Sequence, residues 1–332
     1  RLIVIILLAP FYWAERLLIP LDSQWSWVIP AYLRAGKIVK KGGISVVYSS
    51  GGPISAHIAA LLIRRKYHVT WVCEFHDPIG LSEDHKRGRS RRIYDWLEKK
   101  ICNNADRLVF TTKAAGVLAK QTYEIKGSVY VVYAGVDSHS IPNERAISPN
   151  SNVFSILHLG TLGGARNLDR FLPAARKAHS KQKDLELRIS LYGNVDKKVR
   201  DSIDRHEAGD FVHYRGTIPH AEVGRVMRQS DMLLLVHGQE GVVAETTIPS
   251  KIFEYLQARR PVLALVQNNN ELRSILVNAG AYVADANCIE DIAKVLGECL
   301  LDYNTNCLKV VKGSDFSASG AVRKLIELAR NS

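Results

Sequence analysis

The stretch PSKIFEYLQARRPV, residues 249–262, predicts a short helix with a defined beginning and end. Pro249 and Ser250 are typical of a helix start, where the Ser250 hydroxyl can accept hydrogen bonds from amides that the first turn leaves unpaired. Pro261 prevents the helix from continuing. An apolar strand, Val262–Val266, follows at once. The stretch therefore predicts one helix–strand unit of an α/β protein.

Two charged residues, Lys251 and Glu254, stand one turn apart near the start of this helix. The N-terminal end of a helix favours anions, because its first amides and the helix dipole both present positive charge. A phosphate site is one interpretation of the pair. The alternative is an ordinary Lys–Glu pair on a solvated helix surface, and the residues alone leave both open.

Strand and helix patterns alternate on both sides of this stretch, which is typical of parallel sheets covered by helices. The predicted strands are 44–48, 69–75, 108–111, 129–133, 154–159, 185–192, 212–214, 231–236 and 262–266. A segment rich in Pro, Ser and Asn interrupts the alternation. The predicted fold class is α/β, with one Rossmann-like domain at 1–138, a linker at 139–152 and a second Rossmann-like domain at 153–332.

Composition and charge narrow the possible partners. The 332 residues carry a net charge of +12, with a dense basic run at 86–92, so the protein attracts anions. No nucleic-acid-binding module or aromatic pattern accompanies the charge, so we expect no nucleic acid partner and favour an anionic membrane surface. Five scattered cysteines without CxxC spacing predict free thiols in the cytoplasm and no metal site.

The first residues form an apolar run, Leu2–Ala9, that Pro10 and later charges interrupt. A bilayer crossing needs about 20 apolar residues, so we expect a buried or membrane-apposed segment instead. The chain begins with Arg rather than Met. We therefore expect a fragment that lacks the first strands of its N-terminal domain.

Three loops that follow predicted strands can contribute to a binding cleft: Ser49–Pro53, His76-Asp77 and Gly160–Arg166. In open α/β sheets, ligands bind beyond the carboxyl ends of the strands. Gly160 and Gly164 allow backbone amides to approach an anion, and Arg166 adds a guanidinium suited to a diphosphate. A flexible strand–helix turn explains these glycines equally well.

The first domain offers two histidines as candidate site residues. His76 and Asp77 can orient a hydroxyl or stabilise charge at a reacting carbon, although a helix cap with a hydrogen-bonded histidine explains them too. His57 follows Gly51 and Gly52, and its ring is predicted to face the same cleft; the alternative is a histidine on the helix surface. The sequence has no GxSxG elbow, so a Ser-His-Asp hydrolase is not indicated.

Several blocks of the sequence resemble the glycosyltransferases of family 4, which have the GT-B fold of two facing Rossmann-like domains. The blocks are Asp22–Trp27, Tyr48–Pro78, Ala105–Thr112, Gly135–Asp137, His158–Asn167 and Ile248–Leu265. The similarity to N-domain and donor-site landmarks of bacterial members that build surface polysaccharides extends over most of the chain.

The resemblance implies roles for particular residues. Glu254 matches the second acid of the family's E-x7-E motif, which hydrogen-bonds the donor's ribose. Arg166 and Lys251 would neutralise the diphosphate of a leaving group without a bound metal. His76, followed by Asp77, matches the position beside the transferred sugar. No cofactor is implied, because the nucleotide sugar is a substrate.

The sequence departs from the family pattern at one acid. Thr246 stands where the first acid of E-x7-E is expected, Glu245 lies one place early and Glu240 lies farther upstream. The family's N-terminal glycine-rich acceptor loop is also absent from the sequence. The contacts to the sugar are therefore the least defined part of the inferred site.

The implied function is a retaining, metal-independent hexosyltransferase that uses a UDP- or GDP-linked sugar donor and a lipid-linked or saccharide acceptor. Its setting would be cell-surface glycan synthesis, peripheral on the cytoplasmic face of the membrane. One alternative is a nucleotide-sugar-binding scaffold subunit without catalysis. The other is a non-hydrolysing nucleotide-sugar epimerase of the same fold.

Overall fold

A computed structural model describes residue 10 and residues 25–51, 53–76, 89–136, 152–182, 184–238, 241–312 and 316–330. Several sequence predictions lie outside these residues. They are the apolar run Leu2–Ala9, Gly52, Asp77, the basic residues 86–88, Glu240 and most of the linker at 139–152. No helix among the described residues is long and apolar enough to cross a membrane.

The chain forms two compact units, which in their described parts comprise Arg1–Tyr133 with Val322–Ser332, and Ala134–Ala321. The sequence predicts instead that the second domain extends to residue 332. The C-terminal residues group with the first unit because Ile326 and Ala329 line a groove there together with Val46 and Val69.

The first unit contains a parallel sheet of the order β1-β2-β3-β4. Its strands are β1 (Val46–Ser50), β2 (Thr70–Phe75), β3 (Arg107–Phe110) and β4 (Ser128–Val131). Its helices are α1 (Val28–Lys40), α2 (Ile54–Tyr67), α3 (Arg89–Cys102) and α4 (Lys113–Thr122). The core includes the buried rings of Trp71, Phe75 and Phe110.

The second unit contains a parallel sheet of the order β10-β9-β8-β5-β6-β7. Its strands are β5 (Val153–Leu159), β6 (Glu186–Tyr192), β7 (Val212–Gly216), β8 (Met232–Val236), β9 (Val262–Val266) and β10 (Tyr282–Asp285). Its helices are α5 (Phe171–His179), α6 (Lys197–Arg205), α7 (His220–Gln229), α8 (Gly241–Thr246), α9 (Lys251–Ala258), α10 (Asn270–Asn278) and α11 (Ile289–Asn304). A last helix, α12 (Ala318–Arg330), begins in this unit and ends in the first.

The central strands explain why this sheet is parallel. Every residue of β8 and β9 is buried, and both strands are continuous apolar runs. A strand buried on both faces reads as such a run, because helices cover each side of a parallel sheet. The predicted α/β fold class is thus confirmed in both units.

Helix α9 begins and ends near the predicted residues, but its first turn differs from the prediction. Ser250 has helical backbone angles, and its side chain makes no capping hydrogen bond, so the predicted cap at Ser250 is wrong. The backbone carbonyls of Pro249 and Ser250 accept from the amides of Ile252 and Phe253 instead. A serine caps only when its backbone is extended, which these angles do not allow.

The sheet order of the second unit places a crevice between β5 and β8. These strands are neighbours, and the chain continues from β5 toward β6 and β7 on one side and from β8 toward β9 and β10 on the other. Such a reversal of strand order is the place where open α/β sheets bind ligands. The loops that follow β5 and β8 are therefore the first candidates for a site.

Candidate functional site

A cavity of about 250 Å³ lies at this crevice, in the second unit. Side chains and backbone from the ends of β5 and β8 and from the start of α9 enclose it. Its lining includes His158, Gly160, Thr161, Arg166, Ser250 and Lys251. The structure therefore brings together three of the five predicted donor-site residues, Gly160, Arg166 and Lys251.

Gly160 fits the first position after β5 for a steric reason. Its φ of +124° is a conformation that side-chain-bearing residues rarely adopt, and a Cβ there would lie 3.0 Å from the Nζ of Lys251. Gly193, at the end of β6, approaches even more closely: a Cβ on it would lie 2.3 Å from the carbonyl oxygen of Gly160. The absence of a side chain at Gly160 thus makes room for the lysine ammonium, and its absence at Gly193 makes room for the Gly160 backbone.

A tight turn after β5 presents Arg166. The amides and carbonyls of Gly163 and Arg166 pair with each other at 2.8 and 3.0 Å. The Gly164 amide donates to the Asp196 carboxylate at 3.1 Å, and the same side chain accepts from the Val199 amide at the start of α6. The Gly164 amide thus has an acidic side chain as its partner in the structure, and its use by a phosphate stays a prediction.

Arg166 and Lys251 are two half-buried cations on one small cavity. Burial lowers the pKa of Arg166, and its Nε is buried without a hydrogen-bond partner among the described residues. Burial also lowers the pKa of Lys251; Glu254 opposes this shift and Arg166 adds to it. Like charges held together out of water are costly unless an anion compensates them. The arrangement thus suits a diphosphate.

Glu254 lies one turn along α9 from Lys251 and is half buried. In the part of the chain that the structure describes, the two side chains form no ion pair. The simple solvated Lys–Glu pair therefore does not account for them. Thr246, at the position of the missing acid, is buried and donates to the Val242 carbonyl at 2.7 Å, while Glu245 is exposed.

The first unit holds a separate polar cluster at the ends of β1 and β2. The His76 side chain is about half exposed, and its Nε2 lies 3.0 Å from the Ser50 hydroxyl and 3.3 Å from Glu74 Oε2. The hydroxyls of Tyr48 and Ser50 both donate to the same Glu74 oxygen. Glu74 thus gathers three side chains, and the predicted catalytic His76 is one of them.

Hydrogen bonding keeps Glu74 ionised although it is buried. Burial raises the pKa of a carboxyl group, but the bonds from His76, Ser50 and Tyr48 outweigh that effect and lower the pKa of Glu74 to about 2. An ionised carboxylate stabilises a proton on the neighbouring imidazole and orients its ring. The sequence prediction missed Glu74, whose only signal is a carboxylate inside the apolar run WVCEF.

His57 is not a cleft residue. Its side chain is completely buried on α2, with Nδ1 at 2.9 Å from the Ser49 hydroxyl and Nε2 at 3.3 Å from the Gly51 carbonyl. Burial lowers its pKa to about 4, so the ring is neutral at physiological pH. The Trp71 indole donates to the same Ser49 oxygen. The predicted orientation of His57 toward the cleft is wrong, because the ring supports the Gly51 loop from inside the core.

Both halves of the chain match family profiles of known proteins. The profile described as Glycosyltransferase Family 4 matches residues 9–140, and that described as Glycosyl transferases group 1 matches residues 153–302. The chain belongs to the family 4 glycosyltransferases of GT-B fold. The predicted family, fold and enzyme class are thereby confirmed. No curated protein matches the sequence of this glycosyltransferase significantly.

Solved structures share the fold of this glycosyltransferase at low sequence identity. HepE of Anabaena in complex with UDP is 13% identical with a TM-score of 0.71, over 91% of this chain and 82% of HepE. Sucrose-phosphate synthase of Thermosynechococcus elongatus is 13% identical with a TM-score of 0.67, over 93% and 78%. A trehalose-6-phosphate synthase, studied for glycosyl transfer with retention, is 14% identical with a TM-score of 0.63, over 94% and 80%.

Some predicted residues of the glycosyltransferase lie outside the described part of the chain, and some residues at the cavity were not predicted. Asp77 and Gly52 are outside the described residues. Within the described residues, no three His, Cys, Asp or Glu side chains come together in a way that could hold a metal ion. All five cysteines are free. His158 lines the cavity at the end of β5, Gly193 packs against Gly160, and Asp196 accepts from the Gly164 amide; their spacing in the sequence gives no signal of these positions.

Proposed function

We propose that this glycosyltransferase binds a UDP- or GDP-linked sugar with its diphosphate in the cavity of the second unit. The observation that carries the proposal is the pair of half-buried cations, Arg166 and Lys251, beside the open backbone of Gly160. A diphosphate supplies the anion that these cations lack. HepE, which shares the fold, is described in complex with UDP.

The reaction we propose is metal-independent sugar transfer with retention of anomeric configuration. The bond from the anomeric carbon to the diphosphate oxygen breaks, and an acceptor hydroxyl forms a bond to that carbon. The nucleoside diphosphate leaves with the electron pair and takes up the acceptor's proton. Arg166 and Lys251 stabilise the charge that develops on the leaving group. Retention is described for the trehalose-6-phosphate synthase of similar fold.

We place Glu254 on the donor's ribose and His76, supported by Glu74, beside the transferred sugar. Both assignments rest on the family resemblance, and the partly buried positions of Glu254 and of the Glu74 cluster are compatible with them. Asp77 and Gly51 remain part of the proposed sugar and acceptor region.

A lipid-linked or saccharide acceptor at the cytoplasmic membrane face, in surface glycan synthesis, completes the proposal. Helix α1 supports it, because Ile29 and Leu33 are 66% and 55% exposed one turn apart and Lys37 and Lys40 stand in its last turn. Apolar side chains beside lysines are typical of helices that dock on anionic lipid. Replacing both apolar residues by Glu should reduce sedimentation with phosphatidylglycerol vesicles; unchanged sedimentation would remove this part of the proposal.

The test of function is a panel of UDP- and GDP-sugars, assayed for binding by thermal shift and for slow hydrolysis of the bound donor. A transferase should bind one of them and release free sugar and nucleoside diphosphate. A donor at 100 times its Kd stabilises the fold by about 2.7 kcal/mol. If no nucleotide sugar shifts the melting temperature, the proposed function is wrong.

A second candidate, a scaffold that binds a nucleotide sugar without turnover, is favoured by one observation. Thr246 replaces the expected acid and is turned toward its own helix, where its hydroxyl donates to Val242. Binding of a donor without any hydrolysis or transfer would select the scaffold. Interconversion of the free sugar nucleotide would select the epimerase.

A further inference from the structure

His158 is a buried histidine on β5 in which a hydrogen bond fixes the proton of one ring nitrogen and leaves the other nitrogen without a partner among the described residues. It is 4% exposed, and its Nδ1 lies 2.9 Å from the carbonyl oxygen of Leu234 on β8. A carbonyl only accepts, so Nδ1 carries a proton and donates it. In the neutral ring Nε2 then carries a lone pair, and this atom is buried without a hydrogen-bond partner among the described residues.

An unpaired buried nitrogen is unusual, because leaving such a group unsatisfied costs about 1–3 kcal/mol. The position of His158 indicates a role in the cavity. The residue lines the same cavity as Gly160, Arg166 and Lys251, at the crevice between β5 and β8. It is therefore part of the wall of the cavity in which we place the donor's diphosphate.

The groups around His158 explain why the ring is neutral when the cavity holds no anion. Burial lowers its pKa to about 4, and the charges of Lys251 and Arg166 add to this, while the bond to Leu234 opposes it. Tyr255 is a further titratable group nearby: its hydroxyl accepts from the Leu159 amide at 3.1 Å and lies 3.5 Å from the same Leu234 carbonyl oxygen. On the other side, β6 places the apolar Leu191 in register with His158.

We propose that His158 is a third ligand of the diphosphate and takes up a proton from solvent as the donor binds. The inference rests on the proposed function. A diphosphate diester offers only acceptor oxygens, which the lone pair of a neutral Nε2 repels. Protonation converts Nε2 into a donor, and the negative charges of the diphosphate offset the two cations that keep the ring neutral. Nδ1 keeps its bond to Leu234 in both states.

Thermodynamic linkage gives the direction of the effect. The bound protein holds one more proton than the free protein at pH values between the two pKa values of His158, so lower pH favours binding. In that window the Kd of the donor should rise about tenfold per pH unit. A His158 that merely accepts from Lys251 in both states would leave the Kd independent of pH.

The experiment is isothermal titration of the protein with UDP-glucose and GDP-mannose, in two buffers of different ionisation enthalpy at about pH 6, 7 and 8. Nucleotide sugars are the right probes because their diphosphate diesters do not titrate near neutral pH. The terminal phosphate of UDP does titrate there, so UDP would add a proton change of its own. Wild type is compared with His158→Gln. The matched control is His179→Gln, since His179 also bonds a backbone carbonyl, that of Leu185, but does not line the cavity.

The proposal expects proton uptake approaching one per bound donor in wild type and His179→Gln, and none in His158→Gln. Equal uptake in all three proteins, or none in wild type, would overturn it. If His158→Gln does not fold, the ¹⁵N chemical shift of Nε2 in histidine-labelled wild type decides: protonated with the donor supports the proposal, neutral refutes it. If neither probe nor any other nucleotide sugar binds, the proposed function fails first and this inference with it.

Discussion

Replacing Lys251 by Met should weaken donor binding while leaving the unliganded protein at least as stable as wild type. Methionine keeps the length and apolar contacts of the lysine stem and removes only the ammonium. In the structure that ammonium lies beside Gly160, shares a small cavity with Arg166 and forms no ion pair among the described residues. Stability and binding should therefore respond in opposite directions.

The magnitude follows from the same contacts. A hydrogen bond to a charged group contributes about 1.5–3 kcal/mol, so losing the lysine contact to a diphosphate should raise the donor's Kd about 10- to 100-fold. In the free protein, the burial and the Arg166 repulsion that lower the pKa of Lys251 are removed. The free energy of unfolding should rise by up to about 1 kcal/mol, as is common when a functional charge is deleted.

Urea unfolding and titration calorimetry with the best-binding nucleotide sugar measure the two effects. The matched control is Lys197→Met, because Lys197 is exposed on α6 and pairs with Asp201 one turn away. Such an exposed pair contributes about 0–1 kcal/mol and lies outside the cavity lining. A Lys251→Met protein that binds the donor as tightly as wild type would refute the assignment of the cavity to the diphosphate.

Three further predictions concern stability. Gly193→Ala forces a Cβ against the Gly160 carbonyl, so it should cost about 1–3 kcal/mol and abolish donor binding, whereas Gly209→Ala, with nothing within 4 Å, should do neither. Glu74→Gln should destabilise the fold at neutral pH, because the pKa of Glu74 is lowered to about 2. The difference in unfolding free energy between wild type and variant should fade as pH falls from about 4.5 toward 2. A difference that does not depend on pH would contradict this prediction. Glu98→Gln should act oppositely: burial raises the pKa of Glu98 to about 8, so wild type loses stability as pH rises from about 4.5 to 8 and the variant does not. Chemical denaturation across pH checks both carboxyls.

Some elements of the fold are predictable because one physical cause determines them. Strand β9 matches its prediction residue for residue, since Pro261 and a run of five apolar residues allow no other interpretation. Strand β1 does not: the sequence predicts that it ends at Tyr48, but its ladder continues through Ser50, which pairs with Glu74. Serine is typical of loops, and here the Ser49 hydroxyl is satisfied inside the core by His57 and Trp71.

The candidate site also has a part that the sequence predicts and a part that it does not. Arg166 and Lys251 are predictable because each stands next to its own local signal, a glycine-rich turn and a helix start. The orientation of the His57 ring and the partner of the Gly164 amide are not predictable, because both depend on how neighbouring elements pack in three dimensions. Asp196, which occupies the Gly164 amide, lies on the loop before α6. Pairings at that separation come from packing alone.

The central claim is that the cavity at the end of β5 holds the diphosphate of a nucleotide sugar, and a crystal structure with a bound nucleotide sugar tests it most directly. The account predicts diphosphate density beside Gly160, within hydrogen-bond distance of Arg166 and Lys251. A well-ordered nucleotide whose diphosphate lies elsewhere, with both cations unengaged, would contradict it.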